Sequence, residues 1–445
     1  MVPGTEYNFG YFECRKGAKF PETVFFGLQY ILLKHLVGEV VTEEGIQEAK
    51  ALCAFHFGSS ERFNEAGWRY ILEKYNGRLP ISIRAVPEGS VVPVSNVLFT
   101  VENTDPNCAW LVGPLETILS QVWYPTTVAT LSREVKKVIK NGLGVSSTEL
   151  NANFGLQDFG FRGSTTFEAA AIGGLAHLVN FQGTDTVPAL RAGISYYDAN
   201  PKDLGFSVPA TEHSVMTPLG QEGEEKIVEM LLNRYTEDIL SVVADSYSVT
   251  NFVDYIVGQK FRDRIMARKG VFVVRPDSIT PDLPTPEEEM VWILNSLWNR
   301  FGGTVNVKGY KVIHPSVRTL WGDGIDLEGI QKIINAVIAA GFSTENIACF
   351  GMGGGLLQKV NRDTQRCAFK SCAQYRDGKW HDVFKNPLDK SKMSKKGRLK
   401  LIKQNGKYNT VPIEHYEDNE LEEVFRNGEL LIRYNFDSVR QRAIL

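Results

Sequence analysis

The chain has 445 residues, 43% of them hydrophobic and 23% charged, with a formal net charge of −3. Its length exceeds one simple core and predicts one large domain or two intertwined ones. The charge balance gives no case for nucleic acid as a partner, and no apolar run reaches the ~18 residues of a membrane helix.

In chain order, a strand is expected at 7–14, where Tyr7, Phe9 and Tyr11 alternate. Apolar spacing predicts a helix over 23–36 with Leu28, Ile31 and Leu32 on one face. Thr42, followed by Glu43 and Glu44, is an expected N-cap. Residues 64–75 read as another helix. Residues 79–101 predict a small β region, broken at Pro87-Glu88-Gly89 and Pro93. Residues 111–132 predict a long apolar helix or helix pair, interrupted at Pro125. After about 365, a hairpin is expected around Asp377-Gly378, then a lysine-rich run (385–403, including Lys390, Lys392, Lys395, Lys396 and Lys400), then strands and turns to Leu445. Cys14, Cys53, Cys108, Cys349, Cys367 and Cys372 form no C-x-x-C pair and read as reduced thiols of a cytosolic protein. With no signal peptide before the first charged residues, a cytoplasmic location is expected.

Between about 150 and 360 an apolar strand ends in polar or glycine residues seven times. The tips are Asp158 to Gly163, Gly183 to Thr186, Glu212-His213, Asp245 to Tyr247, Arg275 to Ser278, Gly322 to Gly324 and Gly351 to Gly355. In a βα barrel such tips converge on one mouth, where ligands bind. The expected fold is therefore α/β: an irregular βα barrel of about seven strands at 131–364. A second, mainly β domain is expected from the N- and C-terminal segments, a discontinuous α+β unit at 1–130 and 365–445.

The stretch 207–214, Ser-Val-Pro-Ala-Thr-Glu-His-Ser, reads as a strand that Pro209 brings to an end, followed by a polar tip. Glu212 beside His213 is either a satisfied polar turn or an oriented imidazole usable as nucleophile or base. The other tips carry Asp185, Asp245, Asp277, Asp323, Arg162 and Arg275, with glycine loops at 322–324 and 351–355. Glycine loops let backbone N–H groups approach phosphate, arginines clamp phosphates, and carboxylates hold ribose hydroxyls or Mg²⁺ through water. The set points to a sugar-phosphate substrate with metal. Phe159 at a tip can stack on a flat heteroaromatic ring, and Asp185 would accept an amide NH₂ but repel a ring carboxylate.

These tips, together with Phe12-Glu13-Cys14-Arg15, Val86-Pro87-Glu88-Gly89, Leu356 to Lys359 and Ser394 to Arg398, closely resemble the nicotinamide phosphoribosyltransferases of the type II phosphoribosyltransferase family. The resemblance runs from near residue 3 to near the C-terminus. It implies transfer of phosphoribosyl from phosphoribosyl pyrophosphate to nicotinamide, in NAD biosynthesis, with Mg²⁺. It also implies ATP hydrolysis coupled through a phosphohistidine at His213, with Glu212 beside it and Asp277 at the catalytic centre. Phe159 would stack on the pyridine, Asp185 hold the carboxamide, and Ser241 sit near the base pocket. Arg162 and Arg275 would bind near base and phosphate. Asp277 and Asp323 would meet ribose or metal-bound pyrophosphate, and Gly353 and Gly354 the 5′-phosphate, with Asp245 and Gly322 in the same substrate-binding set. A homodimer with shared active sites is implied, with Arg15, Arg362, Lys370 and Lys385 reaching pyrophosphate or ATP phosphates from the partner subunit. Read from the residues alone, those four form a solvated basic face.

Two departures stand out. The family carries an Asp-x-Tyr-Lys segment before the Pro-x-x-Thr turn, whose Tyr covers the other face of the nicotinamide; here Met1 lies almost on that turn, and a start further upstream is expected. Met352 stands where relatives often have Ser. The alternative reading is a catalytically weak or inactive ligand-binding relative that lacks the ring clamp.

Overall fold

The computed structural model describes residues 1–388 and 393–445. The chain divides into two compact units. One comprises Met1–Thr130, Ala192–Ala199 and Val360–Ile444; the other comprises Leu131–Arg191 and Asn200–Lys359 with Leu445.

The second unit is built on a parallel six-stranded sheet. Its order is Gly183–Thr184, Leu156–Asp158, Ile347–Met352, Val317–Trp321, Phe272–Arg275 and Leu240–Val243. Leu240–Val243 and Phe272–Arg275 are buried at every residue, because a parallel sheet is covered on both faces; each is apolar except for one residue, Ser241 and Arg275. The two edge strands are joined by the stretch 206–211. Phe206 bridges Gly183 and Ala210 bridges Ser241, both in the parallel sense. Ser241 N donates to Pro209 O at 2.9 Å, and Thr211 N donates to Ser241 O at 3.0 Å. The sheet thus closes into a seven-membered ring, the barrel expected from the seven tips. The connecting helices start on side-chain caps: Thr166 Oγ1 accepts from Ala169 N, Thr285 Oγ1 from Glu288 N, and Asp326 Oδ1 from Gly329 N.

The first unit carries a seven-stranded sheet whose pairings are all antiparallel. The order is Lys379–Asp382, Cys367–Arg376, Tyr7–Cys14, Val97–Asn103, Ile81–Ala85, Glu422–Arg426 and Glu429–Leu430, so strands from both chain ends share one sheet. Thr42 caps Glu43–Phe57 as expected, its Oγ1 accepting from Gly45 N at 3.1 Å. The hairpin turn holds Asp377 at φ 51° and Gly378 at φ 73°. Glu88, fully buried, accepts from the amides of Gly27 and Gln29 at 2.8 and 2.5 Å and from Tyr197 Oη at 2.7 Å. It thereby satisfies orphan donors at the start of helix Leu28–His35.

Several local expectations change. The predicted 23–36 helix starts only at Leu28. Glu22–Val24 is a strand paired with Val91–Pro93, and Gly27 at φ 103° supplies the bend between them. Pro125 interrupts nothing. It sits in the first turn of Trp123–Ser146, where its missing N–H would be unpaired anyway, and the break falls instead at the 3₁₀ turn Ser120–Val122. Leu178 ends a helix, so the expected strand there shrinks to Gly183–Thr184. The tail closes with a helix, Phe436–Arg442, capped by Asn435 and anchored by Phe436 and Val439. In the lysine-rich run, Lys395 pairs with Glu13 and Lys396 with Asp382, while Lys400 donates to backbone carbonyls; Lys390 and Lys392 lie outside the described residues. All six cysteines are free. Among the described residues no helix is long and apolar enough to cross a membrane.

Candidate active site

The C-terminal ends of the barrel strands bring together residues far apart in sequence. Asp245 follows Leu240–Val243 and is hydrogen-bonded to His213, with Asp245 Oδ1 3.1 Å from Nε2. A carboxylate only accepts, so in the neutral ring the hydrogen sits on Nε2 and the lone pair on Nδ1. Nδ1 lies 4.0 Å from Asp277 Oδ2. Ser278 Oγ donates to the other oxygen of Asp245 at 2.5 Å. Asp245 is therefore held from both sides, and it holds His213. Glu212, the sequence neighbour, is exposed and makes no side-chain cap on the short helix His213–Met216. Among the described residues the carboxylate that orients the imidazole comes from the next strand end.

Partial burial pushes the Asp277 carboxyl upward. Arg275 and His213 pull it down, and Asp245 and Asp323 add to the rise. These groups share one electrostatic neighbourhood. Glu224, at the start of helix Glu224–Arg234, is buried and its Oε1 has no partner. Burial, then the charge of Asp245, raises its carboxyl to about 7. Asp158 is buried at the end of its strand, accepts from Gly160 N at 2.7 Å, and is raised by burial to about 6.

Phe159 follows Asp158, and its amide donates to Met352 O at 3.0 Å. Its ring rests on Gly351, where an added Cβ would lie 2.1 Å from Phe159 Cε2. Gly351 was expected in a phosphate loop; the structure makes it the seat of the candidate stacking ring. Arg275 is buried, with its guanidinium 5.8 Å from the Phe159 ring centre. Arg275 Nε and the buried Ser241 Oγ have no protein partner. Buried polar atoms are almost always satisfied, and a ligand bearing carboxamide or phosphate oxygens would satisfy both.

Asp185 is exposed and accepts from Gln157 Nε2 at 2.9 Å and Ser207 Oγ at 2.5 Å. Arg162 is exposed on the turn Phe161–Gly163. Gly322 lies near Phe159, and Asp323 is exposed, its carbonyl accepting from Trp321 Nε1 at 2.9 Å. Gly353 caps the short turn Gly354–Leu357, and its carbonyl accepts from Leu356 N at 3.0 Å. All these residues belong to the barrel unit. Arg15, Arg362, Lys370 and Lys385 lie in the other unit. Lys370 sits 3.6 Å from Glu116 and Arg362 4.0 Å from Asp363, Lys385 is exposed, and Arg15 Nε is buried without a partner. Gln157, Ser278 and Glu224 were not foreseen as site residues. Only Ser278 had a local signal, its place one residue after Asp277.

Comparison with known proteins follows the same lines. The nicotinate phosphoribosyltransferase (NAPRTase) family matches residues 154–429, and the nicotinamide phosphoribosyltransferase N-terminal domain matches residues 1–83. A nicotinamide phosphoribosyltransferase of Xanthomonas campestris pv. campestris is 42% identical, over 99% of this chain and 94% of that protein. One of Acinetobacter baylyi is 31% identical, over 99% and 93%. Two solved structures share the fold: a nicotinate-nucleotide pyrophosphorylase from Pyrococcus furiosus (TM-score 0.60, 14% identity, 99% of this chain and 88% of that one) and human nicotinic acid phosphoribosyltransferase (TM-score 0.57, 13% identity, 99% and 89%). The chain belongs to the NAPRTase family of pentosyltransferases, among the nicotinamide phosphoribosyltransferases.

Proposed function

We propose that this enzyme transfers phosphoribosyl from phosphoribosyl pyrophosphate to nicotinamide at the barrel mouth, giving nicotinamide mononucleotide and pyrophosphate, and that it couples this to ATP hydrolysis through His213. The pyridine nitrogen lone pair attacks the anomeric carbon, and the bond from that carbon to the pyrophosphate oxygen breaks. The leaving group keeps the electron pair, so no protein base is required. The transition state is oxocarbenium-like, and positioning and charge stabilisation dominate its catalysis. Phe159 stacks on the pyridine, Asp185 accepts from the carboxamide, and Ser241 and Arg275 satisfy their unpartnered polar atoms on the ligand. Arg162 adds positive charge near the base and phosphate, Asp277 and Asp323 serve the ribose and pyrophosphate end, and Gly353 and Gly354 receive the 5′-phosphate.

Among the described residues no three or more His, Cys, Asp or Glu side chains form a metal cage. Asp277 and Asp323 are neighbouring carboxylates and fit Mg²⁺ carried on substrate phosphates with one or two carboxylates, which is how this cation commonly binds. When bound it supplies neutralisation of the pyrophosphate charge. In the coupling step the Nδ1 lone pair of His213 attacks the γ-phosphorus of ATP, the β–γ bridge breaks and ADP leaves. Water later cleaves the N–P bond. The added charge at the mouth would tighten phosphoribosyl pyrophosphate binding through the basic residues, with Asp277 and Asp323 as the residues that would hold a phosphate-bound Mg²⁺. Arg15, Arg362, Lys370 and Lys385 reach phosphates from the partner in a cytoplasmic homodimer.

The observation that carries this reading is the imidazole held by Asp245 through Nε2, beside Asp277, at the mouth that also bears Phe159 and Asp185. A reading as a ligand-binding relative without activity gains nothing from relatives matched over nearly their full length under enzyme names. The coupling is tested by kinetics of His213→Ala with and without ATP. ATP should lower the KM for phosphoribosyl pyrophosphate in the wild type and not in the variant. Full ATP enhancement in His213→Ala would rule the coupling out.

A further inference from the structure

Asp185 is built in more than its role as an acceptor requires. Two neighbouring chain segments of the barrel wall converge on its carboxylate. Gln157 Nε2 donates to Oδ1 at 2.9 Å, and Ser207 Oγ donates to the same oxygen at 2.5 Å. The Gln157 amide is also steered toward Phe206 O at 3.4 Å. Room for that amide is made at Gly183, which pairs with Gln157 across the strands: a Cβ there would lie 2.3 Å from Gln157 Oε1. The Asp185 main chain is fixed from the same strand, its amide donating to Asp158 O at 3.0 Å.

Two donors on one carboxylate oxygen have two effects. They fix the orientation of the carboxylate, because both donors meet the same oxygen. They also occupy the lone pairs of Oδ1 and leave those of Oδ2 for a further donor. We propose that Gln157 and Ser207 are positioning residues that set base specificity: they hold the Asp185 carboxylate in one orientation, with Oδ2 as its open acceptor, so that a ring carboxamide is accepted and a ring carboxylate refused. This rests on the reading of Asp185 as the carboxamide acceptor. Nicotinamide offers an N–H to Oδ2, whereas nicotinic acid offers only like charge, so discrimination depends on a carboxylate that does not rotate.

The test is the ratio of kcat/KM for nicotinamide to kcat/KM for nicotinic acid in wild type, Gln157→Ala, Gln157→Glu, Ser207→Ala, Ser207→Thr and Asp185→Asn. Loss of one donor should cut the ratio about tenfold. Gln157→Glu should cut it further, because it replaces the donor to Oδ1 with a second acceptor that cannot hold the Asp185 carboxylate in place. Ser207→Thr keeps the hydroxyl and should restore the wild-type ratio. The KM for phosphoribosyl pyrophosphate should stay within about twofold in the Gln157 and Ser207 variants, and thermal unfolding should show that they are folded. Should Gln157→Ala fail to fold, Ser207→Ala, at an exposed position, carries the same prediction. If Asp185→Asn leaves the ratio unchanged, or the wild type shows no preference, the underlying reading of Asp185 fails. If Asp185→Asn collapses the ratio while the Gln157 and Ser207 variants keep it within twofold, only the positioning role is overturned.

Discussion

Gly351→Ala probes the candidate stacking ring without touching it. The added methyl carbon would lie 2.1 Å from Phe159 Cε2, 2.4 Å from Cδ2 and 2.9 Å from Cζ. Non-bonded carbons settle about 3.5–4.0 Å apart, so the ring has to retreat by roughly 1.5 Å. Rotation offers little relief, because Gly322 lies on the Cε2 side and the Phe159 amide is tied to Met352 O. Overpacking of this kind costs about 1–3 kcal/mol of stability. A displacement on the order of 1 Å in a substrate-positioning group costs about a hundredfold in rate. Gly351→Ala should therefore fold with a modestly lowered melting temperature and lose about 10- to 100-fold in kcat/KM for nicotinamide. The assay is steady-state kinetics with each substrate varied in turn, beside thermal unfolding. The double variant Gly351→Ala/Phe159→Leu removes the clash and should regain stability without regaining nicotinamide affinity. Wild-type nicotinamide kinetics in a folded Gly351→Ala would refute the assignment of Phe159 as the ring platform.

Three further outcomes follow from the same geometry. Asp245→Asn and Ser278→Ala should weaken the ATP-dependent drop in the KM for phosphoribosyl pyrophosphate, Asp245→Asn almost completely and Ser278→Ala by about 3- to 10-fold, since one orients His213 and the other orients Asp245. Glu224 has a carboxyl raised from the usual 4.5 to about 7. Its protonated form is the one the fold prefers, so the stability it contributes is full below pH 4.5 and is lost as pH rises through about 7. Glu224→Gln should thus match the wild type near pH 4.5 and exceed it by on the order of 1–3 kcal/mol at pH 8, read by urea unfolding across pH; a constant difference would contradict the burial argument. Thr42→Ala should cost about 1 kcal/mol from the lost helix cap and leave nicotinamide kinetics unchanged.

The barrel was legible because each strand end carries a change of chemistry, from apolar run to Asp, Arg, His or Gly, that survives even where the strand is short. The strands themselves were less legible. Gly183–Thr184 has only two residues, and 206–211 joins the sheet through one bridge on each side, so neither carries a periodic pattern. Through-space partners were illegible for a simpler reason. Sequence adjacency suggested Glu212 for His213, but Glu212 stands exposed just before the short helix His213–Met216, and the carboxylate that meets the imidazole comes from the next strand's end. Asp245 is 32 positions away and makes the bond. Gln157 looks ordinary in sequence and matters through the carboxylate it reaches; Gly351 stood out only as part of a glycine loop, and matters through the ring it makes room for.

The most direct measurement is product formation: the purified chain with Mg²⁺, ATP, phosphoribosyl pyrophosphate and an equimolar mixture of nicotinamide and nicotinic acid, analysed by chromatography and mass. The geometry at Phe159, Asp185 and His213 predicts nicotinamide mononucleotide with an equimolar amount of pyrophosphate, and little of the acid mononucleotide. Preferential formation of nicotinic acid mononucleotide, or no mononucleotide at all, would contradict it.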